Sequence, residues 1–148
     1  MNDKLIASDQ PLTADQQNIL TAIVDTMVPA SDDGTMPSAG ELNFTNHLHE
    51  FAPEFLANLP HIIAMFAEEF PNEEIGARYH TLKSFSEDQP EMFRQLLALV
   101  YGCYYQEDRV REAIGVGKGA PFPRGNEVEP GDLSLLEPVM QSEITWRR

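Results

Sequence analysis

The chain has 148 residues and a formal net charge of -14, with 24 acidic against 10 basic side chains. That length fits one domain, which buries roughly 68–70% of its unfolded surface without a metal or disulfide staple. The charge excludes nucleic-acid backbones and anionic membrane surfaces as partners, and no apolar run reaches the ~18–20 residues that cross a bilayer, so direct membrane insertion is not expected.

The first residues, Met1 to Ile6, lack the basic and apolar regions of a secretion signal, and none is expected there. A lone cysteine, Cys103, cannot form an internal disulfide, so cytoplasmic residence and periplasmic export on a partner's signal both stay open. Residues 1–12 read as an N-terminal extension. Thr13 and Gln16 then have capping-box spacing, and Ile19, Leu20, Ile23, Val24, Met27 and Val28 recur every three or four residues, which predicts an amphipathic helix ended by Pro29. The stretch Ala30 to Gly40 has loop composition. Leu42, Phe44, Leu48 and Phe51 predict a second helix that stops near Pro53.

From Glu54 to Phe70 the helical period continues, but Pro60 falls inside it, and a kink or break is expected with Pro60 in the first turn of a new helix. Residues 72–85 predict a short helix with Ile75, Tyr79, Leu82 and Phe85 on one side. Ser86 or Asp88 is then expected to cap the strongest helix, whose broad apolar face runs through Met92, Phe93, Leu96, Leu97, Val100, Tyr101 and Tyr104. Asp108 to Ile114 predicts a last short helix stopped by Gly115. No strand period or internal repeat is visible. The expected fold is all-α: a small irregular helical bundle over residues 13–114 with an extended, mostly irregular C-terminal arm over residues 115–148.

The arm is rich in Gly and Pro yet carries Phe122, Leu133, Leu135, Leu136, Val139, Met140, Ile144 and Trp146. Disordered linkers are poor in such residues, so this segment is expected to lie against its own domain or another protein.

Candidate chemistry is thin. His47 and His49 are two apart, so on a helix they point to nearly opposite faces, whereas metal-ligand pairs want a spacing of three or four. His61 and His80 stand alone. Glu68, Glu69, Glu73 and Glu74 read as a solvated face more than as an acid–base pair. Asp32, Asp33 and Gly34 lack the remaining oxygen ligands of a calcium loop. Gly115 to Gly119 follows a helix and precedes prolines, the wrong context for a phosphate loop. Cys103 reads as a structural thiol, and Ser31, Ser38 and Ser142 lack a nucleophile-elbow context. No catalytic, cofactor or metal residue is therefore assigned.

The order of several short motifs resembles one family. These are Asp25-Thr26-Met27-Val28-Pro29 closing the first helix, Ala39-Gly40 opening the next, Tyr104-Tyr105-Gln106-Glu107-Asp108-Arg109-Val110, Ile114-Gly115, Pro123-Arg124-Gly125 and Leu135-Leu136-Glu137-Pro138-Val139. Together they resemble the gluconate 2-dehydrogenase subunit 3 family over nearly the whole chain. The resemblance implies a small non-catalytic accessory subunit of a large flavoprotein of the glucose-methanol-choline type, with a cytochrome c subunit in many complexes. FAD is then expected in the partner and no cofactor in this chain. The twin-arginine leader of many family members has no counterpart near Met1. It also implies structural roles for Asp25 and Pro29, as a carboxylate bonding local backbone and a proline fixing the helix exit, and for Gly115. Partner contact is implied for Arg109, Phe122, Pro123, Leu135, Leu136, Pro138, Val139 and Trp146. A helical adaptor unrelated to redox chemistry and a small stand-alone enzyme are the competing expectations.

Overall fold

The computed structural model describes residues 12–118 and 131–141, and all regular structure among them is helical. The chain divides into two compact units, Met1–Lys118 and Gly119–Arg148. The first holds α1 (Ala14–Met27), α2 (Phe44–Phe51), α3 (Pro53–Ile63), α4 (Ile75–Asp88), α5 (Pro90–Gln106) and α6 (Asp108–Ala113), with 3-10 turns at Ala39–Glu41 and Phe70–Asn72. The described part of the second holds a 3-10 turn, Leu133–Leu136, and the one-turn α7 (Glu137–Met140).

α1 starts on the capping box that the sequence predicts. The Thr13 hydroxyl accepts from the Gln16 amide at 3.2 Å, and the Thr13 amide donates to the Gln16 side chain at 2.9 Å. Ile19, Leu20, Ile23 and Val24 are buried along its inner face, and Leu12, just before the cap, is buried with them. Val28 ends the helix at φ -136° and ψ 84°, outside the helical region that a residue before proline avoids, and Pro29 itself is exposed. α1 packs against α3, α4 and both 3-10 turns of its unit; α5 packs against α2, α4 and α6. Between them the rings of Phe66, Phe70, Phe85 and Phe93 form a chain of edge and tilted contacts at 5.1, 5.2 and 6.4 Å.

Pro60 does not break α3. The helix starts with Pro53 at its first position and runs through Pro60 to Ile63. A proline inside a helix costs about 3 kcal/mol. Leu59, Ile62 and Ile63 are each 2% exposed or less, and full burial of one such side chain contributes about 1.5–3 kcal/mol. Three of them, adjacent to the proline, outweigh the lost hydrogen bond. The α4–α5 junction also departs from expectation. Neither Ser86 nor Asp88 caps α5; Gln89 occupies that place without a side-chain bond, and the Ser86 hydroxyl instead donates to the Lys83 carbonyl at 2.7 Å. Pro90 at the first helical position forces Gln89 out of the helical region, so the break falls there.

α6 closes as predicted at Gly115, by a specific mechanism. Gly115 has φ of 78°; its amide donates to the Glu112 carbonyl at 3.0 Å and the Val116 amide to the Arg111 carbonyl at 2.9 Å. That pair of bonds is a Schellman motif, which requires a left-handed residue. Gly115 to Lys118, read from the sequence as the start of the arm, falls in the helical unit.

Candidate docking surfaces

Residues 131–141 are built from local signals. The Asp132 carboxylate accepts from the Ser134 amide at 3.0 Å and hydroxyl at 2.6 Å, opening the Leu133–Leu136 turn. These bonds, the hydroxyl's first, hold the Asp132 carboxyl below its usual range. Pro138 then sits in the first turn of α7, where its missing N–H is harmless. Leu133, Leu136, Val139 and Met140 are 73, 50, 61 and 81% exposed, and Pro138 is exposed too. Leu135 lies in the same 3-10 turn. Within an arm expected to be mostly irregular, the Asp132 cap and the early Pro138 accompany two short helical turns. Phe122, Pro123 and Trp146, the other predicted contact residues of the arm, lie outside the described residues.

Arg109 is placed elsewhere, near the start of α6, where it bonds Glu41 of the first 3-10 turn at 3.0 Å. Glu41 also accepts from the Ser38 amide at 3.0 Å, and that bond first, with Arg109 second, keeps its carboxyl low. The guanidinium braces the loop between α1 and α2. So does Tyr104, whose buried hydroxyl donates to the Pro37 carbonyl at 2.8 Å. Burial pushes the Tyr104 phenol up. At the loop tip the Asp33 carboxylate accepts from the Ser31 hydroxyl at 2.6 Å, the Thr35 amide at 3.0 Å and the Thr35 hydroxyl at 2.8 Å. These bonds, Ser31's above all, lower its pKa to about 2. Asp33 thus organises the loop, a role the sequence reading misses although Ser-x-Asp-Gly-Thr carries the turn signal.

Asp25 faces Arg78 of α4 at 3.7 Å and packs against Gly40, where an added Cβ would meet the Asp25 Cβ at 3.0 Å and the Thr21 carbonyl at 3.2 Å. Its observed role joins α1 to α4 and the 3-10 turn. The pair lines an open cleft of ≈ 550 Å³ with Asp15, Asn18 and Glu68, and the buried Arg78 Nε and Glu73 Oε2 find no hydrogen-bond partner. A second cleft, of ≈ 600 Å³, lies between the starts of α1 and α2 and is lined by Gln17, Asn18, Asn43, Asn46 and His49. Thr45 also lines the second cleft, and its hydroxyl donates to the Gln17 side chain at 3.0 Å.

No group of three metal-capable side chains forms among the described residues. His47 is half-buried against Phe51 at 4.8 Å, and burial lowers its pKa against the opposing pull of Glu50. Cys103 is half-buried, and burial, then Glu107, pushes its thiol up, away from the thiolate. The helical unit exposes four aromatic side chains, Phe51, Tyr79, Tyr101 and Tyr105, at 58, 58, 45 and 52%, beside the aliphatic Met65, Ile75, Ile114 and Val116. No family model matches this chain, and comparison with curated proteins and with solved structures likewise returns no match.

Proposed function

We propose that this chain is a non-catalytic accessory subunit that binds and stabilises, or assists the maturation of, a flavin-dependent alcohol or sugar dehydrogenase. The family resemblance supplies the partner class. The observation that carries the docking role is the set of exposed apolar side chains on residues 131–141, Leu133, Leu136, Val139 and Met140, which its own two turns cannot cover. Apolar groups at this density on a short, capped scaffold suit insertion into pockets of another protein. Leu136, Pro138 and Val139 are the proposed contacts, together with Phe122, Pro123, Leu135 and Trp146 of the same arm. Arg109, still 54% exposed over its Glu41 contact, adds a charged contact from α6. FAD and the chemistry belong to the partner, and a cytochrome c subunit completes the electron path in this reading.

Co-expression with a glucose-methanol-choline flavoprotein, followed by size-exclusion chromatography, tests the proposal. The full chain is expected to co-elute with the flavoprotein and to raise its flavin content or thermal stability. A chain ending at Lys118, or one carrying Leu136→Asp with Val139→Asp, is expected to elute alone. Complex formation that survives the deletion removes the arm as the docking element, and substrate turnover by this chain alone ends the accessory reading.

A further inference from the structure

A second surface lies on the helical unit, where α2 meets α5. His47 of α2 rests beside Gly102 of α5, its Nε2 3.7 Å from where a Cβ would stand. His47 stacks on exposed Phe51; the exposed rings of Tyr101 and Tyr105, a helical turn apart, are 6.0 Å from each other. Phe51 also borders a groove of ≈ 500 Å³ that continues past Phe55 to Gln95 of α5. Exposed aromatic side chains are over-represented where proteins bind one another, because they bring large contact area at small entropy loss.

Charge defines the occupant. Exposed Glu50 and Glu54 flank Phe51, with Glu54 lining the groove. Glu107 follows the tyrosines at the end of α5, and Arg94 of α5 is already paired to Glu91 at 2.9 Å. An acidic rim round an apolar centre selects a basic partner and repels anionic lipid. Gly102 does not add to this. The His47 side chain of α2 faces that position, so Gly102 belongs to the α2–α5 contact.

We propose that Phe51, Tyr101 and Tyr105, with the groove beside Phe51, dock an amphipathic helix of another protein whose apolar edge is flanked by lysine or arginine. This surface is distinct from the C-terminal arm, and its occupancy does not depend on the accessory-subunit reading.

The test uses the full, isotope-labelled chain and two synthetic helical peptides, one of leucine and lysine and one of leucine and glutamate. Saturable binding of the leucine–lysine peptide is expected, with amide shifts clustered in residues 47–55 and 98–106. Affinity is expected to fall about tenfold or more, equivalent to about 1.4 kcal/mol, in Tyr101→Ala/Tyr105→Ala. The charge reversal Glu50→Lys/Glu54→Lys, at exposed positions that folding tolerates, is expected to weaken binding similarly. Equal binding of the leucine–glutamate peptide, shifts centred on Leu133 to Met140, absence of saturable binding, or a dimer of this chain covering the face would each overturn the proposal.

Discussion

Val100 and Val139 are the same side chain in two helices, one 1% and the other 61% exposed. The contrast extends to their regions. Between Leu12 and Val110 the apolar residues recur at helical spacing over runs long enough to face one another, and a core closes. Between Gly131 and Gln141 the apolar density is similar, but Pro138 and the Asp132 cap restrict the chain to two short turns. Hydrophobic content is therefore not what makes a core. A buried face needs a second face opposite it, and helices this short have none of their own.

The sharpest way to break the comparison is to shorten one side chain in each region and measure unfolding in urea. Leu59→Ala, at a position with no exposed surface, is expected to lose about 2–5 kcal/mol. Met140→Ser, at 81% exposure, is expected to stay within about 0.5 kcal/mol of the parent. A comparable loss in both would mean that the segment is packed, and the contrast would fail.

A smaller effect sharpens how the helical unit holds its own loop. Tyr104→Phe deletes only the hydroxyl that the Pro37 carbonyl accepts from, leaving that carbonyl buried without a donor. A loss of about 1–3 kcal/mol is expected, with amide exchange accelerating in residues 31–38. Exchange that is unchanged there would show that the loop is held by something else.

The smallest effect is electrostatic. The Ser31 and Thr35 bonds lower the folded-state pKa of the Asp33 carboxyl to about 2, below the ordinary carboxylate range. A depressed folded pKa means that its contribution is complete above the unfolded value and is lost as pH falls from about 4 through about 2. The group is exposed, so the consequence is local. The Thr35 amide resonance is expected to titrate with a midpoint near 2 and to become flat over that range in Asp33→Asn. A midpoint at the ordinary carboxylate value would mean that the Ser31 and Thr35 bonds do not hold in solution.

Much of the helical framework was legible in the sequence because its signals are local. The Thr13–Gln16 box, the stop at Pro29, the loop before Gly40 and the glycine stop at 115 each depend on a few neighbouring residues, and each is where the spacing puts it. The α5 face was only half legible. Period alone groups Tyr101 with Leu96 and Val100, but a helix of this width meets neighbours on part of its circumference, and Tyr101 falls outside that arc. Ile75 and Tyr79 of α4, 51 and 58% exposed, fail for the same reason. Of the predicted contact residues, Leu136, Pro138 and Val139 are exposed in the arm, whereas Arg109 sits on Glu41, a partner 68 positions away that no local pattern announces.

What the chain dictates unaided is its all-helical class and most helix ends, since capping bonds and proline geometry act over three or four residues. Tertiary structure alone decided that Pro60 stays inside α3, because the burial of Leu59, Ile62 and Ile63 outweighs one backbone bond. It also decided that Tyr104 locks Pro37 and that Tyr101 and Tyr105 face outward, because such outcomes depend on which distant surfaces the helices meet.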